Sequence, residues 1–178
     1  MRLKVNVLLV ASCLLASVRV SAAEQATDPC SLPQTLQREV AHKYPGARLV
    51  TLNDLAQDDR SLFQKDHGND CPGLVNVNFY GDGKPTLALV LIVNTGTTVT
   101  AKLVVAHELA QKWETALLEK AESTIPVVWS QGPGEYEDVY GEKKLRVTRP
   151  GIVFCEYYAW EILYAWTGSR VDKIWLRD

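Results

Sequence analysis

Alternation of apolar and polar residues indicates that the C-terminal two thirds of this chain form β-strands. Val75, Val77 and Phe79 alternate with polar residues, which is typical of a strand with one solvated face. Residues 87–93 are apolar at every position and predict a central strand that is buried on both faces. The sequence Gly-Asp-Gly at 81–83 separates the two segments and predicts a hairpin turn.

Further strands are predicted along the rest of the chain. Residues 109–122 are compatible with a helix by propensity, but an edge strand continues the meander better, so we predict a strand there. The other predicted strands cover residues 99–105, 145–147, 151–156, 159–166 and 171–176.

Two helices are expected before the strands. Residues 31–34 have the form of a capping box, and an apolar stripe follows until the Pro-Gly pair at 45–46. Thr51 or Asn53 can cap a second helix, which Gly68 ends. The expected fold class is α+β, with two N-terminal helices packed on a mainly antiparallel β-sheet meander of about six to eight strands.

The first 22 residues have the pattern of a signal peptide. Basic residues precede a mostly apolar segment at 5–18, and small residues at 20–23 offer a cleavage site. The apolar segment is too short for a membrane-spanning helix, which needs about 20 residues. We therefore expect an exported protein with no transmembrane segment in its mature chain.

The expected mature protein has a polar tail at 23–30 and one domain at 31–178. Cleavage of the signal peptide removes three basic residues. The mature chain then has 16 basic and 21 acidic residues, which gives a net charge of −5. Such a charge disfavours nucleic acid as a partner. The alternative to cleavage is a lipoprotein signal, because Cys13 follows Val-Ala-Ser in a lipobox-like context.

Three cysteines remain after removal of the leader, and export places them in an oxidising compartment. Cys30 and Cys71 lie in polar segments that flank the helical region, whereas Cys155 lies in an apolar strand. We predict a Cys30–Cys71 disulfide with Cys155 free, and a Cys71–Cys155 bridge is the alternative. The absence of a Cys-x-x-Cys pair argues against zinc or redox chemistry.

Residues 77–90, Val-Asn-Phe-Tyr-Gly-Asp-Gly-Lys-Pro-Thr-Leu-Ala-Leu-Val, resemble the strand–turn–strand motif of FG-GAP repeats. The resemblance implies a hairpin, and in that family oxygens at alternate loop positions bind calcium. In this chain Asp82 is the one carboxylate at those positions and Lys84 adds a cation, so we expect no metal site. Taken whole, the chain resembles exported bacterial proteins, which implies no particular activity.

Two histidines are candidate catalytic residues. His67 lies close in sequence to carboxylates and to Cys71, and His107 is adjacent to Glu108. The alternative roles are structural, with His67 at a helix C-terminus beside a disulfide and His107 hydrogen-bonded at a strand end. The common hydrolase and nucleotide-binding motifs are absent from the sequence, and we expect no cofactor.

Aromatic residues are concentrated in the last third of the chain and suggest a binding surface. The Gly-Pro-Gly sequence at 132–134 disfavours regular structure, so we predict a surface loop at 131–144. Its tyrosines offer contact area, and the acids beside them can steer a basic partner. Alternatively, the tyrosines fold back and cover a sheet face that carries two tryptophans. The predicted binding residues are Tyr136, Tyr140, Glu135, Glu137, Asp138, Trp129 and Trp160.

These observations predict a small, exported, non-enzymatic binding module, inhibitor- or immunity-like, that acts through an aromatic sheet face and the 131–144 loop. The expected partner is another protein or a component of the cell envelope. One alternative is a small exported hydrolase that uses His67 or His107 with nearby carboxylates. The other is a structural envelope protein or lipoprotein.

Overall fold

The computed structural model of the protein describes residues 28–178. The predicted signal peptide with Cys13, and residues 23–27 of the polar tail, lie outside this range. Within it the chain forms helices α1 (Gln34–Lys43) and α2 (Gln57–His67) and a 3₁₀ helix at Leu52–Asp54. The strands of this part of the chain are β1 (Arg48–Leu49), β2 (Leu74–Asn76), β3 (Thr86–Thr95), β4 (Thr98–Leu109), β5 (Lys112–Glu122), β6 (Val127–Gln131), β7 (Gly134–Glu137), β8 (Lys144–Val147), β9 (Gly151–Glu156), β10 (Trp160–Trp166) and β11 (Val171–Arg177).

The strands pair in antiparallel fashion and form two larger sheets and a hairpin. The first sheet has the order β1-β3-β4-β5, with β2 paired to the same edge of β3 as β1. The second sheet has the order β11-β10-β9-β6, and β7 and β8 form a hairpin between β6 and β9. The α+β class is confirmed. The described residues contain more strands than predicted, because short segments such as β1 and β2 pair end to end along one edge.

Strand β3 is buried on both faces, in agreement with its uninterrupted apolar sequence. Leu87, Leu89 and Leu91 pack with Leu36 and Val40 of α1. The residues that alternate with these leucines belong to a larger cluster, which also contains the buried side chains of the second sheet. Helix α1 and the second sheet therefore cover opposite faces of the first sheet. Burial of one such leucine stabilises the fold by about 2 kcal/mol.

The helices begin later than predicted. Helix α1 follows Pro33 without a side-chain cap, so the predicted capping box at 31–34 is wrong. Thr51 precedes the 3₁₀ helix, and α2 starts separately at Gln57 and is followed by Gly68 with a φ of 63°. Across residues 28–178, no helix combines the length and the apolarity needed to cross a bilayer.

Two predicted strands have different outcomes. The strand predicted at 109–122 is confirmed by β5, which pairs with β4 along its length. The strand predicted from Val75 to Phe79 is shorter than expected, because regular pairing ends at Asn76. Val77 and Phe79 remain buried. The alternation of apolar and polar residues therefore predicts which side chains are buried even beyond the end of the paired strand.

A disulfide joins Cys30 to Cys71, as predicted from the polar context of both residues. Cys155 is a buried free cysteine on β9. The alternative bridge between Cys71 and Cys155 is therefore wrong. The disulfide ties the segment before α1 to the segment that follows α2.

Residues 71–73, which start at the disulfide-bonded Cys71, connect the two sheets through backbone hydrogen bonds. The carbonyl of Pro72 accepts a hydrogen bond from the Val128 amide of β6 at 2.8 Å. The carbonyl of Gly73 accepts one from the Val90 amide of β3, also at 2.8 Å. A Cβ atom at Gly73 would lie 2.4 Å from a neighbouring backbone carbonyl oxygen, so only glycine permits this close approach.

Candidate functional site

The junction between the sheets places the end of α2 beside β6. His67 is the last residue of α2, and Trp129 follows Val128, the residue hydrogen-bonded to the junction. The ring centroids of His67 and Trp129 lie 5.0 Å apart, and the Phe63 ring lies 4.8 Å from His67. Phe63 is fully buried, whereas the other two rings are half-buried. A row of rings therefore leads from the core to the surface.

Two clefts open beside the His67–Trp129 pair. One has a volume of about 390 Å³ and reaches Cys71 and Asp70. The other has a volume of about 460 Å³, and we call it the Trp129 cleft. Its lining includes rings and charged groups, namely Trp129, Tyr157, Tyr158, Asp66, Glu161 and Arg177.

Aromatic rings dominate one side of the Trp129 cleft. The Tyr157 ring is nearly parallel to the Trp129 ring, with an interplanar angle of 21° and a centroid distance of 6.5 Å. Tyr158 is 75% exposed and has a φ of 65° in the turn between β9 and β10. Rings of this kind supply a large contact area with few rotatable bonds.

Two polar groups in the Trp129 cleft lack hydrogen-bond partners within residues 28–178. The hydroxyl oxygen of Tyr157 is buried and unpartnered. The Glu161 carboxylate accepts no hydrogen bond there, and its nearest cation is Nη2 of Arg177 at 3.8 Å. Buried polar groups are normally satisfied, so the Tyr157 hydroxyl is an exception, whereas the Glu161 carboxylate is partly exposed and accessible to a ligand.

The electrostatic environment of the cleft is negative. Burial raises the pKa of the Glu161 carboxyl, and the charge of Arg177 offsets this only in part. Burial also raises the pKa of Tyr157, and nearby negative groups that include Asp66 and Glu161 raise it further. The part of the Tyr157 shift that comes from the neighbouring acids shows that additional negative charge is unfavourable beside this ring.

The two tryptophans predicted to share a face lie on opposite faces of the second sheet. Trp129 is paired with Val153, and Val153 with Leu163, so these three side chains share one face. Trp160 is paired with Glu156 and lies on the other face, where its ring is 5.0 Å from Phe154. The predicted common face is wrong, because strand register decides which positions of β6 and β10 face the same way.

The segment predicted as a surface loop at 131–144 is largely a β-hairpin. Strand β7 begins at Gly134 and pairs with β8 after a turn. The prediction failed because Pro133, which lacks an amide hydrogen, precedes the ladder rather than interrupting it.

The two hairpin tyrosines make different contacts. The Tyr136 hydroxyl donates a hydrogen bond to the Gly132 carbonyl at 2.6 Å and accepts one from Nε2 of Gln131 at 3.1 Å. Gln131 lines the Trp129 cleft, so Tyr136 positions a cleft residue. Tyr140 is 59% exposed, and its hydroxyl donates to the Asp178 carboxylate.

The acids of the hairpin are compensated within the hairpin. Glu137 forms an ion pair with Lys144 at 3.1 Å, and Glu135 lies opposite Arg146 in the ladder. The Asp138 carboxylate accepts a backbone hydrogen bond within its own turn at 2.8 Å. None of these three carboxylates lines the Trp129 cleft.

His107 lies in a separate cluster on the first sheet. Its Nδ1 atom is 2.9 Å from the Thr86 hydroxyl, and its Nε2 atom is 3.1 Å from the Asp82 carboxylate. Asp82, rather than the adjacent Glu108, thus supplies the carboxylate partner. The Tyr80 ring lies 4.5 Å from the imidazole. Thr86 is fully buried, so its hydroxyl is inaccessible to a substrate.

The thiols do not provide a nucleophile for His67. Cys71 is held in the disulfide. Cys155 lines the Trp129 cleft, but burial and the nearby Glu161 raise its pKa to about 12, so the thiol is protonated at neutral pH. In the part of the chain that the structure describes, no cluster of three or more potential metal ligands occurs.

Most charged and tyrosine residues of the Trp129 cleft were not predicted from the sequence. Glu161 carried the clearest signal, because it shares a strand face with Leu163 and Ala165 and is the one charged residue there. Tyr157, Tyr158 and Arg177 carried no such signal, since their positions depend on the turn between β9 and β10 and on the register of β11.

No protein-family model matches the chain, and no curated protein or solved structure is significantly similar to it. The kind of protein is therefore described by its fold and its cleft alone. The protein has a disulfide-bridged α+β fold with an aromatic, negatively charged cleft between a helix end and a sheet.

Proposed function

We propose that this protein is an exported, non-enzymatic binding module whose binding site is the Trp129 cleft. The proposal depends on one observation: aromatic rings and a carboxylate that accepts no hydrogen bond within residues 28–178 meet in a single concave site. A ligand that fills such a site gains apolar contact and can donate hydrogen bonds to the Glu161 carboxylate. A packed core has no accessible carboxylate, and a solvated surface has few clustered rings, so this combination is typical of a binding site.

The disulfide supports export. Bonds such as Cys30–Cys71 persist in oxidising compartments and are rare in reducing ones. The signal-like sequence at 1–22 provides the export route in this proposal. Lipid attachment at Cys13 would hold the same module at a membrane surface.

The contacts of the candidate catalytic groups favour binding over hydrolysis. His67 lies between Phe63 and Trp129, and the neighbouring Cys71 is oxidised. The hydroxyl beside His107 is buried, as described above for Thr86. Cys71 is thus unavailable as a nucleophile, and both ring nitrogens of His107 lie within hydrogen-bond distance of a protein group.

The hairpin of β7 and β8 forms the outer part of the proposed surface. It borders the cleft through Tyr136 and Gln131, and Tyr140 contacts Asp178, which follows the cleft residue Arg177. We propose that Tyr140 and the acids Glu135, Glu137 and Asp138 add contacts with a macromolecular partner.

Matched tryptophan variants test this proposal. Purified protein is immobilised and exposed to an extract of the cells that produce it. The proteins captured by wild type, Trp129→Ala and Trp160→Ala are then compared. Both tryptophans are half-buried on the same sheet but lie on opposite faces. The proposal predicts that wild type and Trp160→Ala capture the same partner and that Trp129→Ala does not.

A second variant separates binding from folding. Tyr158→Asn removes an exposed ring, and asparagine tolerates the positive φ at this position. We expect weaker capture with an unchanged melting temperature. Capture that is lost with Trp160→Ala but kept with both Trp129→Ala and Tyr158→Asn would contradict the proposed site.

A further inference from the structure

We propose that the Trp129 cleft binds an arginine side chain of a partner protein. This inference rests on the proposed function and adds the chemical class of the ligand. The charges, the rings and the Glu161 carboxylate of the cleft each favour a planar cation that carries several N–H donors.

The charge balance of the cleft favours a cation. Among the described residues that line it, Asp66 and Glu161 are opposed by one guanidinium, that of Arg177. The Arg177 side chain is 52% exposed and stays 3.8 Å from Glu161, so the pair is loose. The Glu161 side chain is only 19% exposed. A ligand cation would therefore neutralise a carboxylate that water solvates poorly.

The hydrogen-bonding groups favour a forked donor. A carboxylate has two oxygens that accept parallel hydrogen bonds from one guanidinium, and Glu161 accepts none within residues 28–178. A guanidinium has five N–H donors in a fixed plane, whereas an ammonium acts as a compact point charge. The geometry of the acceptor thus favours arginine over lysine.

The rings favour the same ligand. A guanidinium stacks on tryptophan and tyrosine faces, and the interaction strengthens when water is excluded. Trp129, Tyr157 and Tyr158 provide such rings within one cleft. A neutral sugar can also stack on aromatic rings, but it would leave the charge of Glu161 uncompensated.

A set of small probes tests the ligand class. The indole N–H signal of Trp129 is followed by NMR while the full-length protein is titrated with N-acetyl-arginine methylamide. We expect a dissociation constant of about 1–10 mM, which is typical of one side chain without its protein. The citrulline analogue, which has the same shape without the charge, should bind at least about tenfold more weakly. N-acetylglucosamine is the neutral sugar probe and should cause no shift.

Two variants of the ion pair give opposite predictions. Glu161→Gln removes the attracting charge and should weaken binding of the arginine probe several-fold. Arg177→Gln removes a repelling charge and should strengthen it. Both substitutions break the same contact, so a purely structural effect would change binding in the same direction. Glu122→Gln removes an exposed charge from β5 and should leave binding unchanged.

Specific outcomes overturn the inference. Equal binding of the arginine and citrulline probes, or a change in the same direction in both ion-pair variants, excludes charge recognition but leaves binding at the cleft in place. Binding of N-acetylglucosamine alone has the same consequence. If none of the three probes shifts the Trp129 signal, the inference fails, and capture with Trp129→Ala then decides the proposed function separately.

Discussion

The imidazole of His67 lies against the indole of Trp129, with ring centroids 5.0 Å apart. This contact joins the last residue of α2 to the second sheet and separates the two clefts. It exists because the backbone of Pro72 accepts a hydrogen bond from Val128, the residue before Trp129. The disulfide at Cys71 holds that backbone in place.

Loss of the disulfide should destabilise the protein strongly. The bridged residues are 41 positions apart, and the loop-entropy argument gives about 4 kcal/mol for a loop of this size. Cys30→Ala with Cys71→Ala should therefore lower the free energy of unfolding by roughly this amount in urea denaturation. A decrease smaller than about 1 kcal/mol would show that the bridge does not hold the junction.

Removal of the Thr86 hydroxyl should destabilise the fold and leave ligand binding unchanged. In the neutral imidazole of His107, Nε2–H donates to Asp82, so Nδ1 accepts from Thr86. Thr86→Val leaves this buried acceptor unsatisfied, and we expect a loss of about 1–3 kcal/mol in thermal or urea unfolding.

Thr115→Val is the matched control for that substitution. The Thr115 hydroxyl is buried on β5 without a hydrogen-bond partner in residues 28–178, so its removal should leave stability unchanged or higher. Equal losses for Thr86→Val and Thr115→Val would contradict the role assigned to the histidine cluster. A hydrolase activity that disappears with Thr86→Val would contradict the non-enzymatic proposal.

Part of the stability should depend on pH through Asp54. Two hydrogen bonds from Arg48 lower the pKa of this carboxyl, and hydrogen bonds from Thr51 contribute. A lowered folded-state pKa stabilises the protein above the ordinary value of 3.8, and the effect is lost as the pH falls through the lowered pKa. We expect Asp54→Asn to cost only about 1 kcal/mol at pH 7, since Arg48 is half exposed and water screens the pair.

The pH series provides the check on this pair. Urea unfolding of wild type and Asp54→Asn should give a difference that is constant near neutral pH and shrinks below pH 3.8. A difference that grows towards acid would show that the carboxylate is unfavourable in the folded protein.

Replacement of Tyr157 by phenylalanine should stabilise the free protein. The substitution removes a buried hydroxyl that has no partner in the described residues, and relief of such a group is worth about 1 kcal/mol. Thermal unfolding measures this change. Tyr136→Phe is the control, because its hydroxyl makes two hydrogen bonds and its loss should lower stability. If Tyr157→Phe also lowers the melting temperature, the hydroxyl has a partner within the protein.

The fold class could be predicted because its signals are local. A strand buried on both faces is apolar at every position, so residues 87–93 identified β3 without knowledge of its neighbours. The polar contexts of Cys30 and Cys71 identified the disulfide in the same way. The division into two sheets could not be predicted. Strand β6 pairs with β9, beyond the hairpin of β7 and β8, and no local sequence pattern indicates that pairing.

The cleft could be predicted only in part. Trp129 and His67 were separate candidates, but their contact depends on a backbone hydrogen bond at Pro72, which the pattern of side chains in the sequence does not indicate. The grouping of Trp129 with Trp160 failed for a related reason. A one-residue difference in register moves a side chain to the other face of a sheet, and neither strand alone fixes the register.

The most direct test of the binding site is to locate a bound arginine side chain. Intermolecular nuclear Overhauser effects are measured between the Cδ protons of N-acetyl-arginine methylamide and the ring protons of the isotope-labelled protein. Arginine binding in the Trp129 cleft predicts contacts with Trp129 and Tyr157. Contacts with Trp160 and Trp175, which lie on the opposite face of the same sheet, would contradict it, as would the absence of any ring contact at a saturating probe concentration.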